Sequence, residues 1–597
     1  MGSRFAGPWL GIFVSNKTGD VGDVCRYHAR PVWGTRPINM AKYWNFHKFG
    51  GSSLADADCF RRVADLMLAE ECERTGVVVS AMGGTTDALL RLVSLAEADD
   101  ASFNDGLDAL GQRYAGTAKA LLSGSALVDL LDAWAADAAD VRDVLKAIAL
   151  VRSAPVRSRD VVAGYGEIWS ARMLAALLAA GDPSRGGTWV DARRVVVVRH
   201  TELGPTVLWE ESAARFENEV PAEFRGIAVF TGFIAADEDG LQTTLGRNGS
   251  DFSAAIFAAL ADAAELSIWT DVDGVMSADP RRVPEARVIE RLTYNEAMEL
   301  AYFGAKVIHP QTLGPVVERD IPITIRSSLN PDHPGSRIST TATDEIGIKG
   351  ITAIGGMSLV NVEGSGMIGV PGTADRMFAA LKDAGVSVTL ISQASSEHSI
   401  CIAVPESVAA RARDVISGAF AEELATGQIQ KVDVAPAQSI VAVVGDGMEG
   451  TPGIAARFFG TLGRAGINVR AIAQGSSERN ISAVVDADEA TRALRAAHSG
   501  FYLSSKTLSV GLIGPGVVGA TLLDQVERRA HRLSEEFNLD IRVRAIARSN
   551  SMLLGDRRID LGSWRERFER DAESIDWEKF EAHVNPDHLP HPVIIDC

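Results

Sequence analysis

The feature that most constrains the fold is a glycine turn near the start of the chain, which reads KFGGSS and spans 48–53. The residues before it, 43–47, are typical of a strand, and Phe60 and Met67 after it recur at the spacing of an amphipathic helix. Glycine lets the main chain approach an anion closely, and a helix N-terminus and Lys48 add positive charge. We therefore expect a phosphate site in an α/β unit. The spacing is not that of a Walker motif, and a Gly-Gly pair also serves as a plain tight turn.

Three further turns combine glycine with polar residues. GGTTD at 83–87 follows a strand-like run, LGRNGSD at 245–251 carries a cation and an anion into an alanine-rich helix, and TDVDG at 270–274 ends another strand-like run. Such runs alternate with alanine-rich amphipathic stretches from about 43 to about 339. This alternation predicts an α/β domain with a mainly parallel sheet, in which turns at the strand ends form a cleft.

Together with DPR at 279–281 and FGAKVIHP at 303–310, these motifs resemble those of the aspartate kinases of the amino acid kinase family, in the same order. The resemblance implies transfer of the γ-phosphoryl group of ATP, bound with Mg²⁺, to the β-carboxylate of L-aspartate. The product would be 4-phospho-L-aspartate, from which lysine, threonine and methionine are made. Because the nucleophile is already ionised, catalysis should depend on positioning and charge neutralisation.

The resemblance also implies a role for individual residues. Lys48 is expected to contact the transferred phosphoryl oxygens, and Asp251 is expected to orient Lys48. Arg247 suits the substrate α-carboxylate as a bidentate fork, while Glu167 suits its α-amino group. The rest of the expected substrate site is Ser80, Thr86 and Ser250. The expected nucleotide site comprises Gly50, Gly51, Ser52, Thr270, Asp271, Arg281 and Lys306.

An internal repeat follows this domain. QASSEHSI at 393–400 returns as QGSSERNI at 474–481, an offset of 474 − 393 = 81 residues. The duplication resembles paired ACT domains, βαββαβ modules that bind amino acids and regulate an attached enzyme. The resemblance implies that Gln393 and Gln474 contact the effector, because a side-chain amide can both donate to and accept from an amino acid. Threonine is the expected effector, with lysine or no inhibition as rivals, and the modules are expected to join chains into a homo-oligomer.

The last segment has the pattern of a dinucleotide-binding domain. A strand-like run at 508–513 leads into GPGVVG, which places Gly514, Gly516 and Gly519 at GxGxxG spacing before a helix. Arg548, rather than an acidic residue, ends the next expected strand, which favours NADP over NAD. The segment resembles the opening of homoserine dehydrogenase, so the whole order resembles the bifunctional aspartokinase/homoserine dehydrogenases. It spans 597 − 507 + 1 = 91 residues, and we expect an incomplete Rossmann-type domain without dehydrogenase activity.

Composition excludes several other classes of function. A net charge of −19 disfavours nucleic acid and anionic membrane as partners. The five cysteines are scattered and never at CxxC spacing, so we expect a reducing cytoplasm, no disulfide framework and no protein-bound metal. No apolar run is expected to reach the ~18–20 residues of a membrane helix.

The expected domains are therefore a kinase domain at 40–340, paired ACT domains at 349–500 and the incomplete NAD(P)-binding domain at 507–597. Residues 1–39 are unassigned and expected to be disordered or untranslated. Two other functions stay open. One is a related kinase that phosphorylates glutamate, a glutamyl derivative or carbamate. The other is a catalytically silent amino-acid sensor on a kinase scaffold.

Overall fold

The computed structural model describes residues 44–201, 204–303, 310–341, 347–393, 398–502, 506–537, 539–586, 589 and 591–597. The amino-terminal domain has twelve described strands. They are β1 Asn45–Phe49, β2 Arg74–Val79, β3 Gly187–Val190, β4 Val198–Thr201, β5 Gly204–Val207, β6 Gly226–Thr231, β7 Ile234–Ala236, β8 Gln242–Thr244, β9 Glu265–Thr270, β10 Arg291–Thr293, β11 Ile323–Ser327 and β12 Ser336–Ser339. Its described helices are α1 Ala57–Ala69, α2 Thr85–Glu97, α3 Phe103–Leu121, α4 Gly124–Val151, α5 Val156–Gly181, α6 Trp209–Glu219, α7 Gly249–Leu260, α8 Tyr294–Tyr302 and α9 Pro310–Val317.

Eight of these strands form one sheet in the order β10-β12-β11-β9-β1-β2-β6-β3. All neighbouring pairs are parallel except β11 and β12, which confirms the expected mainly parallel α/β domain. The central strands are buried on both faces; every residue of β6, for example, is buried. Continuous apolar runs of this kind are typical of a parallel sheet covered by helices on both sides.

Helix α5 is the exception to the expectation that no segment could span a membrane. Among the described residues it alone is long and apolar enough, but 72% of its apolar window is buried inside the protein. It packs against α2, α4 and the sheet, and thirteen of its residues, from Val162 to Leu178, are buried. Its composition is therefore that of a central core helix.

The repeat forms one six-stranded sheet in the order β14-β15-β13-β16-β18-β17. Its strands are β13 Gly350–Glu363, β14 Leu390–Gln393, β15 Ser399–Pro405, β16 Lys431–Val444, β17 Ala471–Gln474 and β18 Asn480–Asp486. Its helices are α10 Thr373–Asp383, α11 Glu406–Ala419, α12 Ala421–Thr426, α13 Ile454–Arg464 and α14 Ala490–Tyr502.

The two repeat modules are interleaved rather than simply consecutive. Residues 357–363 of β13 pair with β15, in the first module, whereas residues 350–354 pair with 440–444 of β16, in the second. The register shifts between these halves, at Gly355 and Gly356, and Gly356 has φ +69°. A positive φ of this kind suits glycine and allows the long strand to bend between modules. The second module thus takes a strand that precedes the first in the chain.

The carboxyl-terminal domain has a five-stranded sheet in the order β22-β21-β20-β19-β23. Strand β19 is parallel to both β20 and β23. The strands are β19 Lys506–Ile513, β20 Leu539–Ala547, β21 Ser551–Leu554, β22 Glu573–Ser574 and β23 His591–Asp596, and the helices are α15 Val517–Phe537, α16 Trp564–Asp571 and α17 Trp577–Val584. The expected strand, GxGxxG turn and helix are all present.

Candidate active site and effector cavity

Several turns of the amino-terminal sheet leave from the same edge. The last residue of β1, Phe49, pairs with Val79 of β2 and with Trp269 of β9, and Val79 in turn pairs with Thr231 of β6. The loops after these strands therefore converge, as the carboxyl ends of parallel strands do. A cavity of about 480 Å³ opens at this edge. It is lined by Lys48, Gly51, Ser80, Ala81, Met82, Gly83, Gly84, Thr86, Asp87, Glu167, Phe233, Gly246, Arg247, Asn248, Gly249, Ser250 and Asp251.

A lysine and an aspartate form a short ion pair in this cavity. The Nζ atom of Lys48, on β1, lies 2.6 Å from Oδ1 of Asp251, and their side chains are 12% and 14% exposed. Asp251 lies in the first turn of α7, which Asn248 precedes with φ +53°. A Cβ atom added to Gly50 would lie 3.4 Å from Lys48 Nζ, so the ammonium group lies close to the glycine turn. The two expected catalytic residues are thus brought together.

The two glycine turns touch through their main chains. A Cβ atom on Gly51 would lie 3.0 Å from the carbonyl oxygen of Ala81, and one on Gly83 would lie 3.1 Å from that of Gly51. Side chains at these positions would force the turns apart. The expectation that the first turn opens directly into the helix is wrong: a 3₁₀ turn, Gly51–Leu54, intervenes, and α1 begins only after Asp56, whose carboxylate accepts the Cys59 amide.

Glu167 projects from α5 into the cavity and is only 4% exposed. Its carboxylate accepts a hydrogen bond from the Ala81 amide, but its Oε2 atom has no hydrogen-bond partner among the described residues. Burial raises the pKa of this carboxyl to about 8. A buried acid of this kind can take a proton or a ligand cation, so the site has room for one positive charge.

The remaining expected substrate residues line the same cavity. Arg247 is exposed at its rim, and Ser80, Thr86 and Ser250 contribute hydroxyl groups. Sequence reasoning did not select Phe233 and Asn248, which also line it. Phe233 follows a strand with no motif of its own, whereas Asn248 stands inside a motif and could have been found as a residue suited to positive φ.

The expected nucleotide residues are less closely grouped. Gly51 lines the cavity, and Gly50 and Ser52 flank it in the chain. Thr270 ends β9 beside β1, and its hydroxyl donates to Asp271 Oδ1 at 3.1 Å. Arg281 is not among the cavity residues; its side chain is 79% exposed and pairs with Asp279 at 3.1 Å. Lys306 lies outside the described residues.

A second cavity, of about 250 Å³, lies in the first repeat module. Gln393, at the end of β14, lines it together with Met367, Gly372 and Ile400. Gln474 holds the equivalent place at the end of β17 and is exposed, but it does not line this cavity. The structure therefore brings one of the two expected effector residues to a cavity.

The carboxyl-terminal turn has the close contacts that a dinucleotide site requires. Gly514 has φ +79°, and a Cβ atom on Gly519 would lie 2.4 Å from the Gly514 carbonyl oxygen, so only glycine lets α15 start this close to β19. Gly516 has open space around it. Arg548 follows β20, is exposed, and its guanidinium lies 4.5 Å from the centroid of the Phe568 ring. The close approach at Gly514 and Gly519 fits the turn of a dinucleotide site.

Comparison with known proteins gives consistent matches along the chain. Residues 44–327 match the amino acid kinase family, and 360–420 and 441–501 each match the ACT domain. The chain is 44% identical to bifunctional aspartokinase/homoserine dehydrogenase 1, chloroplastic, of Arabidopsis thaliana, over 93% of this chain and 62% of that protein. It is 38% identical to the bifunctional aspartokinase/homoserine dehydrogenase of Haemophilus influenzae, over 92% of this chain and 68% of that protein.

Solved structures agree with these matches. Escherichia coli aspartokinase III in complex with aspartate and ADP (R-state) superposes with a TM-score of 0.64 at 26% identity, covering 77% of this chain and 99% of that chain. The same enzyme in complex with lysine and aspartate (T-state) gives a TM-score of 0.62. The chain thus spans about three fifths of the length of the Arabidopsis relative and nearly all of a solved kinase.

Proposed function

Because the chain belongs to the family of bifunctional aspartokinase/homoserine dehydrogenases, we propose that it phosphorylates the β-carboxylate of L-aspartate with MgATP. The observation that carries the proposal is the cavity at the strand ends, where the Lys48–Asp251 pair, the buried Glu167 and the exposed Arg247 meet. Arg247 and Glu167 converge beside the Lys48–Asp251 pair. Their opposite charges suit the α-carboxylate and the α-ammonium group of an amino acid. Glutamate and carbamate kinases stay alternatives that substrate comparison can exclude.

Lys48 is proposed to stabilise the transferred phosphoryl group. Its ammonium group lies over the Gly50 turn, where the γ-phosphate of ATP would rest, and Asp251 holds it at 2.6 Å. The developing negative charge on the equatorial oxygens would be neutralised by Lys48 and by backbone amides of Gly51 and Ser52. No group needs to remove a proton from the substrate, because the attacking β-carboxylate is ionised at neutral pH.

Recognition of L-aspartate is proposed to rest on opposite charges. Glu167 Oε2, which has no hydrogen-bond partner among the described residues, would accept a hydrogen bond from the α-ammonium group. Arg247 would bind the α-carboxylate in a bidentate manner. Hydroxyl groups of Ser80, Thr86 and Ser250 would complete the contacts. This arrangement fixes the substrate backbone and leaves the β-carboxylate to face Lys48.

The nucleotide is proposed to lie along the sheet edge toward β9. Thr270 and Asp271 follow the end of β9, next to the turn after β1, where ribose or phosphate oxygens would pass. Arg281 and Lys306 are proposed to contact the phosphates, and Mg²⁺ would enter bound to ATP. For Arg281 this requires release from Asp279, and an exposed ion pair of this kind is weak.

Regulation by an amino acid is proposed to act through the first repeat module. The cavity beside Gln393 has about 250 Å³, enough for a small amino acid, and its side-chain amide can hydrogen-bond an α-amino or α-carboxyl group. Threonine is the proposed effector, and Gln474, which does not line this cavity, is proposed to contact it at the equivalent place in the second module. Chains are proposed to pair through these modules, because β14 and β17, which the Ser392 hydroxyl joins by donating to the Ile472 carbonyl oxygen at 2.8 Å, both carry a half-exposed isoleucine, Ile391 and Ile472.

The carboxyl-terminal domain is proposed to bind NADP through Gly514, Gly516, Gly519 and Arg548. NADP supplies hydride transfer when it is bound, and the arginine would pair with the 2′-phosphate. The expected lack of dehydrogenase activity stays a prediction, which assays of NADP reduction by L-homoserine would check. Location in the cytoplasm also stays a prediction.

The deciding experiment measures aspartyl hydroxamate formation from L-aspartate and MgATP. We expect activity in the wild type, a loss of at least about 10²-fold for Lys48→Met, and little change for Lys146→Met, an exposed lysine on α4. Threonine should inhibit, and lysine serves as the rival effector. A folded wild type that binds threonine but forms no hydroxamate would leave the silent sensor as the function.

A further inference from the structure

Side chains of strand β8 form hydrogen bonds with the first turns of α5. The Nε2 atom of Gln242 donates to the carbonyl oxygens of Asp160, at 2.9 Å, and Val161, at 3.2 Å. The Thr244 hydroxyl donates to Asp160 Oδ1 at 3.2 Å. These bonds prevent β8 from sliding along the helix.

The other end of the Gln242 amide is held as well. Its Oε1 atom accepts a hydrogen bond from Arg193 Nη1 at 2.8 Å. Arg193 is itself held by the buried Asp191, since its Nε atom lies 3.0 Å from both carboxylate oxygens. The Gln242 amide thus donates from its nitrogen to α5 and accepts at its oxygen from Arg193. It can make both sets of hydrogen bonds in only one orientation.

Gly164 makes room for this amide. A Cβ atom at position 164 would lie 2.3 Å from Gln242 Nε2, so any larger residue would push the amide away from the helix. Gly164 stands three residues before Glu167 on α5 and has no place in the substrate site. Glycine at this position therefore leaves room both for the Gln242 amide and for Ile234, whose Cγ2 atom would lie 2.7 Å from the added Cβ atom.

The contact between Gln242 and α5 joins the two segments of the chain that carry Glu167 and Arg247, the charges proposed to recognise the substrate. Glu167 lies seven residues beyond Asp160 on the same helix, about 10 Å away. Arg247 lies five residues beyond Gln242, in the loop after β8. We propose that Gln242 is a positioning residue that sets the spacing between Glu167 and Arg247, and so the affinity for L-aspartate. This inference rests on the proposed function.

The test compares Gln242→Leu with Gln438→Leu. Gln438 is a matched control, because it is 4% exposed and its Nε2 atom also donates to a backbone carbonyl, that of Pro436 at 2.9 Å, in the repeat sheet. Without effector, we expect Gln242→Leu to raise the KM for L-aspartate and its calorimetric Kd about tenfold, with the KM for MgATP changed less than about twofold. Gln438→Leu should leave both substrates unaffected.

A second variant separates the two ends of the amide. Gln242→Glu keeps an acceptor for Arg193 and loses the donor to α5, so at pH 8 it should share the defect. An unchanged aspartate Kd in Gln242→Leu, an equal rise in Gln438→Leu, or a normal Gln242→Glu at pH 8 would each overturn the inference. Calorimetry reports on aspartate binding even if turnover is absent, so this failure is distinct from that of the kinase proposal.

Discussion

Glu167 shows how a residue that is costly to the fold can have a proposed role in the site. Its carboxyl is almost completely buried, one oxygen has no partner among the described residues, and burial raises its pKa to about 8. The free protein therefore favours the protonated form. A ligand ammonium group would reverse this preference, because an opposite charge stabilises the ionised form.

Glu167→Gln should stabilise the free protein. The amide keeps the shape and the acceptor for the Ala81 amide but cannot ionise, so at neutral pH we expect a gain of about 1–2 kcal/mol. The stability that the wild type has while Glu167 is protonated is present at low pH and is lost as pH rises through about 8. The stability advantage of Glu167→Gln over the wild type should therefore grow from pH 6 to pH 9. Thermal unfolding across this range measures it; a gain that is equal at all pH values would contradict the account.

The affinity for L-aspartate should depend on pH through the same group. In the proposed site the α-ammonium group pairs with ionised Glu167, and the ionised fraction of this carboxyl falls below pH 8. We expect the KM for L-aspartate to rise about tenfold between pH 8 and pH 6.5, with a much smaller change in the KM for MgATP. Glu167→Gln should have a high KM that no longer follows pH. A wild-type KM that is flat over this range would show that Glu167 is not the ammonium partner.

At the residue scale, the sequence predicts those groups that stand in local motifs. Lys48, Arg247 and Asp251 each accompany a glycine turn, and the structure brings them together. Gln242 has no such context, because its partners are 82 and 81 positions away in the chain. The partners of one amide depend on how α5 and β8 pack, which spacing along the chain does not reveal.

At the scale of elements, glycines in α5 determine how closely the helix approaches the sheet. A Cβ atom at Gly166 would lie 2.9 Å from Ala81 Cβ and 3.3 Å from Thr85 Cγ2. Ala81 also donates its amide to Glu167. Helix, turn and substrate acid are therefore packed as one unit.

Gly166→Ala should destabilise the kinase domain by about 1–3 kcal/mol through overpacking, and should also raise the KM for L-aspartate. Gly116→Ala in α3 is the matched control, since nothing lies within 4 Å of its added Cβ atom. There alanine should stabilise by up to about 1 kcal/mol. Denaturant unfolding followed by circular dichroism measures both changes. Equal effects of the two substitutions would refute this packing argument.

The elements also show where prediction from the sequence stops. Strand–turn–helix order was recognisable because hydrophobic period and glycine position are local signals. The interleaving of the repeat modules was not, because residues 350–354 pair with 440–444, some 90 positions later in the chain. The burial of α5 is not recognisable from the sequence either, because its apolar composition suits a core helix and a membrane helix equally.

At the scale of the whole molecule, helix α8 connects the kinase domain to both repeat modules. At its C-terminal end the Tyr302 hydroxyl donates to the Thr389 carbonyl oxygen at 3.0 Å, immediately before β14, which ends at Gln393. On the same helix Glu299 accepts from Asn480 of the second module at 2.7 Å. An effector that moves β14 would therefore act on α8, after which the chain continues to Lys306.

The N-terminus of α8 is held by Asp446 of the second module. The Asp446 amide donates to Glu296 at 2.9 Å, and its carboxylate accepts from the Thr293 hydroxyl at 2.5 Å and pairs with Arg479 at 3.0 Å. Thr293 and Glu296 also form the capping box of α8. In the first module the equivalent position, 446 − 81 = 365, is Ser365. The two modules thus differ at the position where the second module, among the described residues, holds the N-terminus of α8.

Asp446→Ser, which gives the second module the residue of the first, should weaken regulation more than catalysis. Loss of the charge-assisted contact with Thr293 would loosen α8 from the module, whereas the Arg479 pair lies within the module and the Asp446 amide is unchanged. We therefore expect kcat without effector to change less than about threefold and the threonine concentration for half-inhibition to rise at least about fivefold. The matched control is Asp433→Ser in the same sheet, whose carboxylate pairs only with the exposed Lys431 among the described residues. Because coupling is reciprocal, threonine should also change the calorimetric Kd for L-aspartate less in Asp446→Ser than in the wild type. If both variants keep the wild-type inhibition curve, the Asp446 contact does not carry the coupling, and the Tyr302–Thr389 end of α8 is the remaining direct link from the effector strand to the kinase.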